Sequence, residues 1–346
     1  MRVSLSNPER SFSVAPEQPL LDAALDAGLN LPHSCKGGNC GACRARLLHG
    51  EVRYPNGPPL GLSDAEVAEG FILLCQARAA GDLSIETLEI STPETAVIKR
   101  LPSRIEHVRA LSHDVVAVFL RLPAAEFFQF EPGQYVDIML PGGRRRSFSI
   151  ASPPHDSRLL ELHVRRVRGG EFTERFFAED ARSALLSIEG PLGHFVYRPA
   201  SGAPMLLIGG GTGFAPLKSI LRHVIENDLD REISLYWGVR SEDDLYAHEE
   251  LKDLAGRASN FRYEAVLSEP SPNWQGRRGW VHEAALRDLE RIDAADIYAS
   301  GPPAMIAALR QEFARRGGDP TRLSFDSFDY APDTFERQRT MAATKS

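Results

Sequence analysis

Four cysteines give this chain its clearest chemical signal. Three of them, Cys35, Cys40 and Cys43, follow the spacing C-x4-C-x2-C, and Cys75 lies well downstream in a separate apolar segment. Three thiolates from one loop and a fourth from elsewhere are the plant-type ligand pattern of a [2Fe-2S] cluster. A zinc site held by four cysteines is the alternative, but it usually shows two closely spaced pairs, and disulfides suit short secreted chains better. We therefore predict that these four cysteines are the ligands of a [2Fe-2S] cluster.

A second segment combines a cation, an aromatic ring and two hydroxyls, in the order Arg146, Ser147, Phe148, Ser149. An arginine can pair with a phosphate, an aromatic ring can pack on a flat ring, and a hydroxyl can bond a ring nitrogen. Further on, residues 169–173 read Gly-Gly-Glu-Phe-Thr at a predicted helix start, whose free N–H groups suit a pyrophosphate. A solvated basic edge and an ordinary Gly-Gly turn are the alternatives for each segment alone. Together, and in this order, they favour a flavin site.

A glycine-rich turn lies between a buried-looking strand and a helical pattern. After the apolar residues 206–208, residues 209–213 read Gly-Gly-Gly-Thr-Gly, and the chain continues to Pro216. This approximates the G-x-G-x-x-G fingerprint of dinucleotide sites, with a proline at the last position, which the first turn of a helix accepts. Segments 236–240 and 300–305 also fall at the carboxyl ends of predicted strands, where open parallel sheets bind ligands. A core tryptophan and an ordinary proline turn are the alternatives for these two segments.

The elements that must position these residues fall into three regions. The first region begins with a predicted strand and a helix that Gly28 is placed to end. The middle region is rich in short strands separated by glycine and proline, which predicts an antiparallel barrel or sandwich. In the last region strands alternate with helices, which predicts a parallel sheet with helices on both faces. The predicted domains are an iron-sulfur domain over 1–92, a linker over 93–102, a flavin-binding barrel over 103–200, a nucleotide domain over 201–330 and a flexible tail over 331–346.

Composition excludes several classes of protein. The 346 residues are 42% hydrophobic and 25% charged, which is a globular composition. The net charge of −7 argues against a general nucleic-acid binder. No apolar run approaches the roughly 18 residues that a membrane helix needs, and the N-terminus lacks the apolar core of a secretory signal. We therefore expect a cytoplasmic protein without nucleic-acid or membrane partners, and a monomer.

From its start to about residue 330, the chain resembles bacterial NADH-dependent reductases that fuse a plant-type ferredoxin domain to a ferredoxin-NADP reductase-like module. Such reductases are electron-transfer components of ring-hydroxylating dioxygenases and multicomponent monooxygenases. The chain is similarly close to CDP-6-deoxy-delta-3,4-glucoseen reductase, which supplies electrons to a sugar dehydrase. The matching motifs are R-x-[YF]-S at 146–149, G-G-x-[FM]-[ST] at 169–173, G-G-T-G-x-x-P at 210–216 and C-G-P-P-x-M at 300–305. The resemblance implies a multidomain protein with a β-grasp α+β ferredoxin domain, an antiparallel β-barrel FAD domain and an α/β Rossmann-like NAD domain.

The resemblance also implies roles for single residues. It places Arg146 on the FAD pyrophosphate, Phe148 on the isoalloxazine and Ser149 near its N5. Ser300 stands where the family usually has a cysteine beside the nicotinamide, and Phe328 is the candidate for an aromatic that covers the flavin. Ser149, Ser300 and Phe328 are thus the predicted catalytic residues. The other predicted cofactor-binding residues are Arg146, Ser147, Phe148, His163, Gly169, Gly170, Phe172, Thr173, Gly210, Gly211, Thr212, Gly213, Pro216, Trp237, Arg240, Gly301, Pro302 and Met305.

The order of the sites predicts a reaction. Reduced nicotinamide gives two electrons at once and an iron-sulfur cluster accepts one at a time, so a flavin belongs between them. We predict that electrons pass from NADH to FAD, then to the cluster and on to an external acceptor protein. Acids at 242–244, after the strand that ends at Val239, would repel the 2′-phosphate of NADPH, which favours NADH, whereas Arg240 and Ser241 could bind that phosphate.

Three functional hypotheses follow. The first is the reductase of an oxygenase, and the second is the electron donor to a CDP-deoxysugar 3-dehydrase. These two share every motif described above, so the sequence does not separate them. The third is an iron-sulfur carrier or redox sensor without turnover, which the flavin and nicotinamide motifs argue against.

Overall fold

The chain divides into two compact units, Met1–Lys99 with Pro191–His194, and Arg100–Gly190 with Phe195–Ser346. The computed structural model describes residues 1–6, 9–33, 36–38, 41–59, 61–62, 64–87, 98–126, 128–141, 144–156, 158–167, 171–177, 184–199, 202–227 and 230–328. No helix within these ranges combines the length and the apolar character that a membrane crossing requires.

The first unit is built on a small mixed sheet. Its elements are β1 (Arg2–Ser6), β2 (Glu9–Ser13), α1 (Leu20–Asp26), β3 (Arg44–His49), β4 (Val52–Arg53), α2 (Asp64–Ala68), β5 (Phe71–Leu73), β6 (Arg78–Ala79) and β7 (Leu83–Thr87). The sheet order is β2-β1-β7-β3-β5, with β1 parallel to β7, while β4 and β6 pair separately. Helix α1 buries Leu20, Leu21 and Leu25, and Gly28 follows its end at a φ of 76°, as predicted. This mixed sheet with one buried helix fits the β-grasp architecture.

The second unit begins with a six-stranded barrel. Its elements are β8 (Lys99–Ala110), β9 (Val115–Arg121), β10 (Tyr135–Met139), β11 (Arg145–Ser149), β12 (Leu159–Arg165), α3 (Glu171–Glu174) and β13 (Leu185–Leu192). The order is β11-β10-β13-β8-β9-β12, and a bridge between Ile150 and Leu162 joins the two edges. Inward-facing aliphatic side chains such as Val118 and Ile138 fill its core. Strand β8 begins at Lys99, so the last residues of the predicted linker belong to the barrel.

The rest of the second unit is a parallel sheet covered by helices. Its elements are β14 (Met205–Gly210), α4 (Phe214–Asn227), β15 (Ile233–Val239), α5 (His248–Arg257), β16 (Phe261–Leu267), β17 (Arg277–Arg278), α6 (Val281–Asp288), β18 (Asp296–Gly301), α7 (Pro303–Arg315) and β19 (Leu323–Ser327). The order is β17-β16-β15-β14-β18-β19, and every neighbouring pair runs parallel. Each face of the sheet carries its own apolar cluster. The predicted doubly covered sheet is confirmed, and its carboxyl edge is where a nucleotide is expected.

Candidate functional site

Two of the four cysteines meet at the ends of neighbouring strands. Cys43 immediately precedes β3, Cys75 follows β5, and the antiparallel register pairs Arg44 with Leu73. The backbone N–H of Cys75 accordingly donates to Cys43 Sγ at 3.5 Å, and both side chains are buried. Buried thiols that receive backbone N–H groups fit an iron-sulfur cluster, because such hydrogen bonds to sulfur stabilise the anionic ligands. Cys35 and Cys40, the other predicted ligands, lie outside the described residues.

Strand β11 carries the predicted flavin segment. Phe148 is half-buried, and its ring lies 5.9 Å from that of Phe172, so the two segments singled out by sequence meet in space. The Oγ of Ser149 is buried and has no hydrogen-bond partner within the described residues. A buried hydroxyl without a partner is costly, and a bound ring nitrogen or carbonyl would satisfy it. The unpartnered Ser149 hydroxyl and the neighbouring Phe148 ring are therefore compatible with a polar ring system bound beside them.

Other residues of the flavin segment bond to the protein itself. Ser147 Oγ donates to Asp137 Oδ1 at 2.5 Å, and Arg146 donates to the carbonyl of Arg145 at 2.9 Å. Thr173 Oγ1 accepts the backbone N–H of Val167 at 3.0 Å. Gly169 and Gly170 lie outside the described residues.

Asp137 is a component that the sequence analysis missed. It is fully buried on β10, directly opposite Ser147 in the antiparallel register. Arg145 lies 3.9 Å from this carboxylate and 2.5 Å from that of Glu189. A buried acid that is paired in this way holds β11 in position behind the flavin segment. The signal available in the sequence was an aspartate inside the apolar strand Tyr-Val-Asp-Ile-Met.

Gly210 and Gly213, at and after the end of β14, leave no room for a side chain. Gly211–Gly213 form one short 3-10 turn between β14 and α4. A Cβ on Gly213 would collide with the carbonyl group of Ser300 and lie 2.8 Å from the N of Gly301, while one on Gly210 would lie 2.7 Å from Met305 Sδ. The close approach of backbone to backbone brings 210–213 and 300–305 together at the carboxyl edge of the sheet. This cradle fits a dinucleotide, whose phosphates need a glycine backbone at a helix N-terminus.

Three predicted residues lie around that turn. Trp237 is completely buried, stacks on Phe214 at 4.8 Å and donates its indole N–H to the carbonyl of Gly211 at 2.9 Å. The structure therefore places Trp237 behind the turn, where it fixes the loop. Ser300 Oγ is buried and has no hydrogen-bond partner within the described ranges. The backbone N–H of Phe328 donates to the carbonyl of Gly301 at 3.1 Å, which places Phe328 beside the same loop.

The remaining predicted nucleotide-binding residues also lie in or beside this turn. Pro216 is buried in the first turn of α4, where its missing N–H costs nothing. Pro302 precedes α7 and is its N-terminal capping residue. Thr212 lies within the 3-10 turn itself.

Arg165, on strand β12 of the barrel, is a second residue that the sequence analysis missed. Its guanidinium would lie 3.6 Å from a Cβ on Gly211, and its Nε lies 3.4 Å from Asp114. Strand β12 of the barrel thus brings a cation next to the glycine turn. A cation there complements the phosphates of a dinucleotide.

His163 lies in a buried polar network rather than at an open surface. Its Nε2 lies 3.1 Å from Glu161 and its Nδ1 lies 3.1 Å from the hydroxyl of Tyr246, while Lys218 Nζ donates to both Glu161 oxygens at 2.8 Å. Burial lowers the pKa of His163 and raises the pKa of Tyr246. Burial would also raise the pKa of Glu161, but His163 and Lys218 outweigh it and lower this pKa to about 2.

These charge states fix the protons of the network. Glu161 is a carboxylate and can only accept, so Nε2 of the neutral His163 carries the proton and Nδ1 accepts from Tyr246. The network joins β12 of the barrel to α4 and to the segment before α5 in the nucleotide half. His163 therefore positions the two halves of this unit against each other.

The acids after β15 are partly used by the protein. Asp244 is buried and accepts from the backbone N–H and the hydroxyl of Ser241, each at 3.1 Å. Glu242 accepts from Ser271, and those hydrogen bonds lower the pKa of Glu242. Asp243 and Arg240 remain exposed at this end of the strand. Of the three acids at 242–244, only Asp243 is exposed.

Comparison with known proteins adds independent findings. Residues 4–80 match the 2Fe-2S iron-sulfur cluster binding domain, residues 102–197 the oxidoreductase FAD-binding domain, and residues 207–311 the oxidoreductase NAD-binding domain. The CDP-6-deoxy-L-threo-D-glycero-4-hexulose-3-dehydrase reductase of Yersinia pestis is 35% identical over 311 residues, which cover 89% of this chain and 92% of the relative.

Two further similarities come from Amycolatopsis. The reductase subunit of an aromatic O-demethylase from Amycolatopsis sp. is 37% identical over 334 residues, covering 95% of this chain and 99% of that protein. The crystal structure of an Amycolatopsis cytochrome P450 reductase superposes with a TM-score of 0.79 at 37% identity, covering 94% of this chain and 98% of that one. The chain therefore belongs to the oxidoreductase family in which a [2Fe-2S] domain, an FAD-binding domain and an NAD-binding domain form one polypeptide.

Proposed function

We propose that this protein is a cytoplasmic reductase that takes electrons from NADH and delivers them, through FAD and a [2Fe-2S] cluster, to an oxygenase component. The observation that carries the proposal is the presence of all three domain types in one chain, over a length shared with reductase components. A bound flavin supplies the link between a two-electron donor and a one-electron outlet. The protein's own residues bind, orient and shield the cofactors.

On the flavin side, the proposed roles fall to β11. Arg146 would neutralise the pyrophosphate, Phe148 would pack against the ring system, and the buried hydroxyl of Ser149 would meet a polar atom of that ring. The unpartnered Ser149 Oγ and the contact between Phe148 and Phe172 support this assignment. Asp137 positions the segment through Ser147.

On the nicotinamide side, the glycine turn would hold the dinucleotide phosphates, with Arg165 as the facing cation. Ser300, whose hydroxyl is buried without a partner in the described part of the chain, would contact the nicotinamide where relatives of the resembled family have a cysteine. Phe328, beside Gly301, would cover the flavin until the coenzyme arrives. Trp237 and His163 would act as positioning residues.

For the cluster, we propose Cys35, Cys40, Cys43 and Cys75 as the four ligands. The hydrogen bond from Cys75 N–H to Cys43 Sγ and the burial of both side chains support the pair that the structure describes. The test is Cys75→Ala: it should abolish the iron content while NADH oxidation by ferricyanide, which needs only the flavin, continues. Unchanged iron content in Cys75→Ala would refute Cys75 as a ligand.

We propose NADH as the preferred coenzyme, because the acids at 242–244 disfavour a 2′-phosphate. Comparison of kcat/KM for NADH and NADPH tests this. We expect a ratio of at least tenfold in favour of NADH, and a preference for NADPH would refute the proposal.

A second acceptor is favoured by a specific observation, the 35% identity to a CDP-hexulose dehydrase reductase. The two candidates differ in the gene that should lie beside this one, an oxygenase component in one case and a sugar-nucleotide dehydrase in the other. The decisive assay adds each purified acceptor to the protein with NADH under air-free conditions. The true partner should be reduced at a rate that depends on Cys75, and the other should not.

A further inference from the structure

The loop that carries three of the cysteines has an unusual backbone. Lys36 adopts a positive φ of 53°, and Gly38 and Gly41 adopt φ values of 83° and 76°. A positive φ is costly for a lysine, and such backbone persists only where its surroundings hold it. Something outside the loop must therefore fix residues 36–38.

Gln76 makes the contact that does this. It directly follows Cys75, and its Nε2 donates to the carbonyl of Lys36 at 2.9 Å. Its Cγ packs so closely on Gly38 that a Cβ there would lie 2.7 Å away. Its own backbone N–H donates to the carbonyl of Leu73 at 3.1 Å, which anchors it to the end of β5. The Gln76 side chain thus connects the segment that carries Cys75 to residues 36 and 38 of the loop that carries the other three cysteines.

A second hydrogen bond fixes the same loop. The backbone N–H of Gly61 donates to the carbonyl of Gly38 at 2.8 Å. The carbonyls of Lys36 and Gly38 therefore each accept a hydrogen bond. Of these two hydrogen bonds, only the one from Gln76 is donated by a side chain. That side chain can be changed without altering any cysteine.

We propose that Gln76 is a positioning residue for the iron-sulfur centre: it holds Lys36, with its strained backbone, and the nearby Gly38 in the conformation that the cluster needs. The inference rests on the proposed ligand set. Backbone N–H groups near the sulfurs tune the potential of such a cluster, and the loop also shields it from solvent. Loss of the Gln76 amide should therefore change both the retention of iron and the electronic properties of the cluster.

The test compares two variants with a matched control. Gln76→Met keeps the length of the side chain without its donor, and Gln76→Glu keeps its shape but presents a carboxylate to the Lys36 carbonyl. The control is Gln18→Met, since Gln18 is the other glutamine among residues 1–99 and bonds Asp26 and the Ala15 N–H instead. The readouts are the rate of iron release to a chelator, the EPR spectrum and midpoint potential of the reduced cluster, and NADH-ferricyanide turnover.

Both Gln76 variants should release iron about fivefold faster than the unmodified protein, the factor that corresponds to one hydrogen bond of ordinary net strength. Their EPR g values and midpoint potential should also shift, with ferricyanide turnover unchanged. Wild-type release rates and spectra in both variants would overturn the proposal, as would equal acceleration in Gln18→Met, because that would indicate general destabilisation of the unit. Unmodified protein that holds no iron would refute the ligand set itself, which is a distinguishable result.

Discussion

The glycine turn at the start of α4 provides the sharpest quantitative prediction, through the substitution Gly213→Ala. The new Cβ would lie 2.5 Å from the carbonyl carbon of Ser300 and 2.8 Å from the N of Gly301, whereas ordinary contacts begin near 3.4 Å. The obstructing atoms are backbone on the neighbouring strand β18, so they cannot rotate away. The turn and the 300–305 loop must therefore separate by about 1 Å, and a displacement of that size between reacting groups costs about a hundredfold in rate.

The assay is steady-state oxidation of NADH with ferricyanide as acceptor, which isolates the nicotinamide and flavin steps. We expect kcat/KM to fall about a hundredfold in Gly213→Ala, with flavin content unchanged. The control is Gly256→Ala in helix α5, where a Cβ meets nothing within 4 Å. The control should keep wild-type kcat/KM. A Gly213→Ala enzyme within twofold of wild type would refute the claim that this close approach builds the nicotinamide site.

Three more predictions concern single side chains of the same unit. Ser149→Ala should lower the rate of flavin reduction at least tenfold, measured by stopped-flow absorbance, because the buried hydroxyl is the group we assign to the flavin ring; an unchanged rate with full flavin content would contradict that role. Arg165→Leu should raise the KM for NADH about tenfold by removing a charge-assisted phosphate contact. The control Arg166→Leu should leave this KM unchanged, since Arg166 is exposed and pairs with Glu174. Equal increases of the KM in both variants would refute the role of Arg165. Because the folded pKa of Glu161, about 2, lies below its ordinary 4.5, its stabilisation is complete above about pH 4.5 and is lost as the pH falls towards 2. Glu161→Gln should therefore flatten the acid dependence of thermal unfolding in that window, and a slope equal to wild type would contradict the network.

The nucleotide half was predictable from sequence because its signals are local. Strand β15 ends at Val239, as predicted, and Pro216 lies in the first turn of α4, as its place after the glycines predicted. The central strands β14 and β15 are largely apolar and buried, as expected for a parallel sheet that is covered on both faces. The glycines and Ser300 were found for the same reason, since they lie at or just after the carboxyl ends of β14 and β18.

Three strands, β3, β8 and β19, were not predicted from the sequence, because each depends on pairing with other strands. Strand β3 reads Arg-Ala-Arg-Leu-Leu-His and forms because β7 and β5 flank it, and β8 contains Pro102 and begins inside the predicted linker. Strand β19 forms by pairing with β18 at the edge of the sheet. In these segments tertiary pairing outweighs propensity, which a single sequence does not display.

The missed site residues share one property, which is that each acts across elements. Arg165 reaches the glycine turn from the barrel, Asp137 acts on Ser147 from the neighbouring strand, and Gln76 reaches the carbonyl of Lys36. The direction of a side chain decides each role, and residue type alone carries no such information. For the same reason, the sequence did not show that Asp244 and Glu242 are hydrogen-bonded by Ser241 and Ser271.

The central claim is that a single chain takes two electrons at once from NADH and passes them on one at a time. An anaerobic titration with NADH tests this claim most directly. Absorbance follows the flavin, and EPR follows the cluster in samples frozen along the same titration. We predict that NADH bleaches the flavin band and produces the rhombic EPR signal of a reduced [2Fe-2S] cluster. A flavin band that NADH leaves intact, or a metal centre that stays EPR-silent after the flavin is reduced, would contradict the account.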